Sequence, residues 1–202
     1  SGSELILRPC GCKNDWPLAT NERARSNAEF AQSQSYPDGR NLSALVPFWG
    51  QLTDHDLVLT RQSSVEGIFH VANTTFNMTR SEFELSPTGC RQLLNHHTAL
   101  LDGSTVYGDS LSDPNFLAQQ LKDGALCRLR TSAGQLLPLN PDKPNEFLAG
   151  DERASEHAFL TSLHTLLVRE HNRLCTFVRA GEPTWTEPEV FWKVRQLVVA
   201  KI

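Results

Sequence analysis

Apolar residues recur at helical spacing most clearly after residue 155, where Leu160, Leu163, Leu167, Leu174 and Val178 form one stripe. The stripe predicts a long amphipathic helix, with Ser155 as its N-cap and Gly181 and Pro183 marking its end. "TWTEPEVFW" announces another helix: Thr186 and Glu189 stand at capping-box spacing, and Trp185 and Val190 where a hydrophobic staple packs. That helix runs into "VRQLVVAKI" on an apolar phase with no capping residue behind it, so the chain is expected to continue as the N-terminal part of a larger unit. Upstream, residues 42–54 read as a helix, and "RQLLNHHTALLDGSTVYGDS" (91–110) begins helical before turning at Asp102-Gly103. A short helix is expected after Asp113, with Pro114 in its first turn and Gly124 past its end.

The remaining stretches lack a period. Residues 1–40, rich in Pro, Gly, Asn and Ser, read as an irregular N-terminal arm preceding a folded part from 41 to 202. Residues 61–90 read as a long surface excursion, and 125–150, with prolines at 138, 141 and 144, as another loop. The expected fold class is mainly α with long loops.

Composition narrows the class. At 202 residues, with 39% hydrophobic and 21% charged residues, the chain suits one soluble domain or part of one. A net charge of −4 argues against a nucleic-acid partner, which would call for a basic surface. No apolar run is long enough for a membrane span. Three N-x-[ST] triplets, at Asn41, Asn73 and Asn77, point to an exposed glycosylated stretch and a secretory route. Five cysteines cannot all pair within one chain. Cys10 and Cys12 stand too close to bridge each other comfortably, Cys90 and Cys127 are candidate partners, and Cys175, in an apolar helical run, reads as a buried free thiol.

Three segments carry candidate chemistry. In "FWGQLTDHDLVLT" (48–60), Asp54, His55 and Asp56 are consecutive, so on a helix they address three directions about 100° apart, while Gln51 shares the face of His55 one turn away. A helix end with solvated acids and a satisfied core histidine accounts for this stretch as readily. In "TALLDGS", Thr98, Asp102 and Ser104 alternate oxygen-bearing side chains, the donor type calcium takes, although an Asp-Gly turn with hydroxyls is usually only a turn. In "AGDERASEHAFLTSLHTLLVREHNRLC", Arg153 and Glu156 are three residues apart and can share a face, which a surface ion pair also explains.

Taken together, "WGQLTDHD", "TALLDGSTVYG", and "LAGDERASE" followed by "HTLLVREHNRL" resemble the animal-type haem peroxidases of the peroxidase–cyclooxygenase superfamily. The resemblance runs from about residue 40 to the end, with 61–90 poorly matched. It implies an animal haem peroxidase-like helical fold, incomplete in this chain, and a role for each matching position. His55 resembles the distal histidine above the haem iron, Gln51 its companion in the peroxide or halide pocket, and Arg153 the distal arginine. Asp54 and Glu156 match the carboxylates that form ester bonds to haem b in this family. Asp56, Thr98, the Leu100 carbonyl, Asp102 and Ser104 match its calcium site. The implied activity is peroxide-dependent oxidation of halide, thiocyanate or small phenolic donors.

Two departures qualify this. Where one branch of the family carries a methionine that makes a third haem bond, this chain has His157, which favours a haem held by two esters and puts easy chloride oxidation in doubt. None of its histidines stands in the family's proximal-ligand motif, so a C-terminal partner chain, or the remainder of the polypeptide, is expected to supply the fifth iron ligand. Two other classes compete: a non-catalytic, calcium-stabilised adhesion module on a peroxidase scaffold, and a fatty-acid dioxygenase or cyclooxygenase relative.

Overall fold

The computed structural model describes residues 39–71, 74–87, 89, 91–108 and 127–202, and only the backbone of 64–71, 74–80 and 91. The described residues fall into two compact units, one made of 39–41 and 60–96, the other of Leu42–Leu59 with His97–Ile202.

The smaller unit is built from strands. β1 (Gln62–Val71) and β2 (Thr74–Ser81) pair antiparallel, with Phe69 opposite Phe76 and an irregularity between Gln62 and Glu66. β3 (Phe83–Leu85) and β4 (Arg91–Leu93) form a second antiparallel pair, with Phe83 opposite Leu93. The stretch 61–90, read as a long surface excursion, thus carries strands, and 91 onward is a strand and not the start of a helix. Ser63, Ser64, Glu66 and Gly67 interrupt any alternation at the head of β1, while the β-formers that sustain it, Val65, Ile68, Phe69 and Val71, lie among them. "RQLLNHH" offers only Leu93 and Leu94 as apolar residues, too few to return on a second helical turn.

The larger unit is helical. α1 (Val46–Leu57) starts four residues after the expected 42 and runs three beyond the expected 54. Pro47 explains the start, since its missing N–H and fixed φ suit a first turn. The later end brings His55 and Asp56 into the last turn. α2 (Ser104–Tyr107) is one buried turn that follows Gly103, whose φ of +77° is the left-handed geometry glycine tolerates. α3 (Ala158–Gly181) is the predicted long helix, and Leu160, Leu163, Leu167 and Leu174 of its stripe are buried. Ser155 does not cap it. Its Oγ accepts from Phe147 N at 2.7 Å, and His157 caps α3 by accepting from Phe159 N through Nδ1 at 3.2 Å. In α4 (Glu187–Val199), the Glu189 carboxylate accepts from both Thr186 N and Oγ1 at 2.7 Å, as the capping-box spacing anticipated.

Leu52 of α1, Val106 and Tyr107 of α2, the α3 stripe, and Val190, Phe191, Val194 and Val198 of α4 form one core. A strap closes its side. Cys127 and Cys175 are disulfide-bonded with Cα atoms 6.0 Å apart, so Cys175 is not a free thiol and Cys127 does not pair with Cys90. His171 Nε2 donates to the Cys127 carbonyl at 2.7 Å, and Asn172 both accepts from Leu129 N at 2.7 Å and donates to its carbonyl at 2.9 Å. The "HNRLC" segment therefore fastens 127–129 onto α3. Residues 1–38, with Cys10 and Cys12, together with Asn73, Cys90 and the expected helix after Asp113, lie outside the described residues.

Candidate active site

All ten residues singled out by sequence belong to the larger unit. The last turn of α1 separates its three polar neighbours as the helical angle requires: Asp54 is exposed, whereas His55 and Asp56 are buried. Gln51 Nε2 donates to Glu156 Oε2 at 3.2 Å, and the same carboxylate oxygen lies 3.8 Å from His55 Nε2. Gln51, His55 and Glu156, 105 residues apart at the extremes, thus share one cluster. His55 Nδ1 is buried and makes no hydrogen bond, lying 3.8 Å from Asp151 Oδ1.

The segment 149–156 reaches this cluster because Gly150 permits it. A Cβ at Gly150 would stand 2.4 Å from the Ser104 carbonyl oxygen and 2.6 Å from Gly108 N, so the backbone there lies directly on α2. Arg153 follows in a 3-10 turn (Glu152–Ser155) capped by Asp151, which accepts from Arg153 N at 2.8 Å. Its guanidinium donates from Nε and Nη2 to Asp151 at 3.0 and 2.7 Å, and from Nη2 to the carbonyls of His55 and Val58 at 3.3 and 2.9 Å. Asp151 also accepts from His97 Nε2 at 2.9 Å. Asp151 and His97 were not singled out by sequence reasoning. The available signal was an acid two residues before Arg153, inside the same motif, and a His-His pair before Thr98.

Electrostatics follow from burial and these partners. Burial, then the Arg153 charge, lowers the His55 pKa below 6.5, against the opposing pull of Asp151, Glu156 and Asp54. Burial also pushes Asp151 up, but hydrogen bonds from His97 and Arg153 outweigh it and hold the carboxyl well below the carboxylate range.

Behind His55, the Asp56 carboxylate organises the Asp102 loop. It accepts from Gly103 N at 3.1 Å, Thr105 N at 2.8 Å and Ser104 Oγ at 3.3 Å, while Asp102 Oδ1 accepts from Ser104 N at 2.9 Å. Burial raises the Asp56 pKa, and the two loop amides oppose it. Arg195 of α4 donates to the Asp102 carbonyl at 3.0 Å. The Leu100 carbonyl accepts from Asp102 N at 3.0 Å, and Thr98 Oγ1 is buried without a hydrogen-bond partner. Asp56, Asp102 and Ser104 are thus brought together. Among the described residues no three His, Cys, Asp or Glu side chains cluster as a metal site, so cation binding here would rest on two carboxylates and neutral oxygens.

The helical unit thus gathers a buried histidine, an arginine and flanking carboxylates. Residues 13–202 match the animal haem peroxidase family, and the chain belongs to that family. It is 30% identical to human thyroid peroxidase, a match covering 93% of this chain and 26% of that protein. It is 28% identical to a peroxidasin homologue of Caenorhabditis elegans over 90% of this chain and 18% of that protein. Among solved structures, peroxidase A of Dictyostelium discoideum superposes with a TM-score of 0.77 at 21% identity, covering 95% of this chain and 44% of that one. A fatty acid alpha-dioxygenase of Arabidopsis thaliana shares the fold at a TM-score of 0.69 and 19% identity. The chain therefore spans less than half the length of each of these relatives. Among the described residues no helix is long and apolar enough to cross a membrane.

Proposed function

We propose that this chain is the distal-side portion of a secreted haem peroxidase that uses hydrogen peroxide to oxidise halide, thiocyanate or small phenolic donors. The observation that carries it is His55, a buried imidazole with a lowered pKa, set between the Asp151–Arg153 pair and the Gln51–Glu156 pair. Such a group is neutral at physiological pH and is able to take a proton.

The residues fit a haem. His55 and Arg153 would supply a base and a fixed cation, and Glu156 and the exposed Asp54 would supply carboxylates to which the haem could be attached. The haem, when bound, supplies the redox chemistry. His55 Nε2 takes the proton from one peroxide oxygen and returns it to the other, which leaves as water. Arg153 keeps its charge throughout and stabilises negative charge developing on the departing oxygen. Gln51, held by Glu156, orients peroxide or halide beside the imidazole. A further histidine to hold the iron would come from the remainder of the peroxidase domain or a partner chain. His164 and His171 are committed to the core, beside Thr105 and Cys127 respectively.

Calcium fits the Asp102 loop. Asp56 Oδ2, which accepts only from Gly103 N, still has lone-pair capacity, and the unpartnered Thr98 Oγ1 suits a ligand oxygen. The disulfide supports a secretory route.

The test uses the complete protein, made through a secretory host. A Soret band and peroxide-dependent oxidation of bromide, thiocyanate or guaiacol are expected. His55→Ala should lower turnover by about 10²- to 10⁴-fold with haem retained. A protein that folds without haem would favour the adhesion reading. Peroxide-independent oxygenation of a fatty acid would favour the dioxygenase reading.

A further inference from the structure

The start of α1 carries an aromatic side chain that the chemistry above does not use. Phe48, Gln51 and His55 are spaced i, i+3 and i+7, so they share one face of the helix. The segment against that face runs the opposite way. His55 lies 3.8 Å from both Asp151 and Glu156, Gln51 donates to Glu156 at 3.2 Å, and Phe48 meets His157. Each step back along α1 is a step forward along 151–157.

The contact at Phe48 is a stack. Its ring lies 4.7 Å from the His157 ring with the planes 16° apart, and 4.8 Å from the Phe159 ring at 21°. Near-parallel rings at this spacing attract beyond the area they bury. His157 is held from a second direction too, because its Nδ1 accepts from Phe159 N at 3.2 Å as the cap of α3. One side chain of α1 therefore covers both rings at the first turn of α3.

Glu156 stands between two fastenings. On one side, Arg153 donates to the His55 and Val58 carbonyls at 3.3 and 2.9 Å, tying the 3-10 turn to the end of α1. On the other, the stack ties His157 to the start of α1. The Glu156 side chain is itself 52% exposed, so its rotamer is fixed only as firmly as the backbone beneath it and the Gln51 amide beside it.

We propose that Phe48 and His157 are positioning residues: their stack clamps the start of α1 onto residue 157 and so sets the Glu156 carboxylate for attachment to haem. The proposal deepens the peroxidase reading and rests on it. In the attachment a Glu156 oxygen bonds to a haem methyl carbon, which gives up a proton and two electrons. These, with a second proton from solvent, reduce hydrogen peroxide to two waters.

The experiment uses the complete protein, reconstituted with haem and treated with hydrogen peroxide in small portions. Digestion and mass spectrometry follow haem-bearing peptides that contain Glu156 and, separately, those that contain Asp54. Asp54 is exposed on another face of α1, so it registers any general loss of fold or haem, and the ratio of the two isolates the clamp. Phe48→Ala should slow attachment at Glu156 about 3- to 10-fold relative to Asp54, the factor that one stacked pair represents. His157→Asn removes the ring but keeps a capping acceptor, and should slow it likewise. Because His157 is exposed, this variant decides the matter if Phe48→Ala does not fold. Phe48→Tyr, which restores a stacking ring, should attach haem as the wild type does. An unchanged ratio in Phe48→Ala or His157→Asn would overturn the proposal, as would Phe48→Tyr behaving like Phe48→Ala. If the wild type carries haem at neither Glu156 nor Asp54, the attachment sites of the peroxidase reading fail and the clamp with them. If it carries haem at both and the variants leave the ratio unmoved, only the clamp fails.

Discussion

His171 shows how a single buried side chain ties stability to pH. Its Nε2–H donates to the Cys127 carbonyl at 2.7 Å, which leaves Nδ1 to accept from the Tyr107 hydroxyl at 2.9 Å. The neutral ring is satisfied at both nitrogens, and a second proton would turn Nδ1 into a donor facing a donor. Burial accordingly lowers the pKa from 6.5 to about 4. In the unfolded chain the same ring titrates near 6.5, so above that pH both states are neutral and the full stability is present. As pH falls, the unfolded state takes up its proton first, and stability drains away through the folded value near 4. The loss amounts to about 3 kcal/mol when complete. Urea midpoints recorded from pH 7.5 to 4 should therefore fall steeply in wild type and less steeply in His171→Gln. Equal slopes would acquit His171 as the source.

At the scale of elements, what sequence reveals is what neighbours along the chain decide. The stripe of α3 and the Thr186–Glu189 box of α4 are local patterns, and both helices are found where those patterns end. β1 and β2 depend on each other for their hydrogen bonds, and no feature within either strand announces its partner. Cys175 sits on an apolar helical phase, while its partner lies 48 residues upstream in a loop without period, so pairing was invisible. The site divides in the same way. Gln51, Asp54, His55, Asp56, Arg153 and Glu156 were legible as ordered motifs. Asp151 and His97 acquire meaning only once Gly150 lays its segment on α2. The strap on α3 carries its own expectation. Closing a loop of 48 residues restricts the unfolded chain by about 4 kcal/mol. Cys127→Ala with Cys175→Ala should lower unfolding free energy by roughly that amount. Asn172, which clamps Leu129 twice, should hold the segment in register without the covalent bond, so near-native circular dichroism is expected alongside the lowered midpoint. A midpoint unchanged on reduction would mean the segment stays as constrained without its covalent tie.

Across the helical unit as a whole, three elements converge on the loop at Asp102. α1 reaches it through Asp56, α2 begins from it at Ser104, and α4 holds the Asp102 carbonyl through Arg195, whose guanidinium also lies 5.2 Å above the Tyr107 ring. A cation proposed at Asp56, Thr98, the Leu100 carbonyl, Asp102 and Ser104 would bind only when these pieces are assembled, so its binding energy adds to the folded state alone. At 100 times the dissociation constant that contribution is about 2.7 kcal/mol. Asp56 is also next in sequence to His55, so loosening the loop should release the last turn of α1 and with it the proposed base. Chelation by EGTA should then lower the unfolding temperature of the complete protein and, in the same titration, slow the binding of hydrogen cyanide, which must surrender its proton to the base. Calcium should restore both, whereas magnesium, which demands tighter octahedral geometry, should not. Asp56→Asn should abolish the response to calcium, and a residual response would place the cation elsewhere. If EGTA changes neither property and no bound calcium is detected, the amides of Gly103 and Thr105 suffice to neutralise Asp56. The closed loop would then be a hydrogen-bonded latch that needs no metal to keep His55 in place.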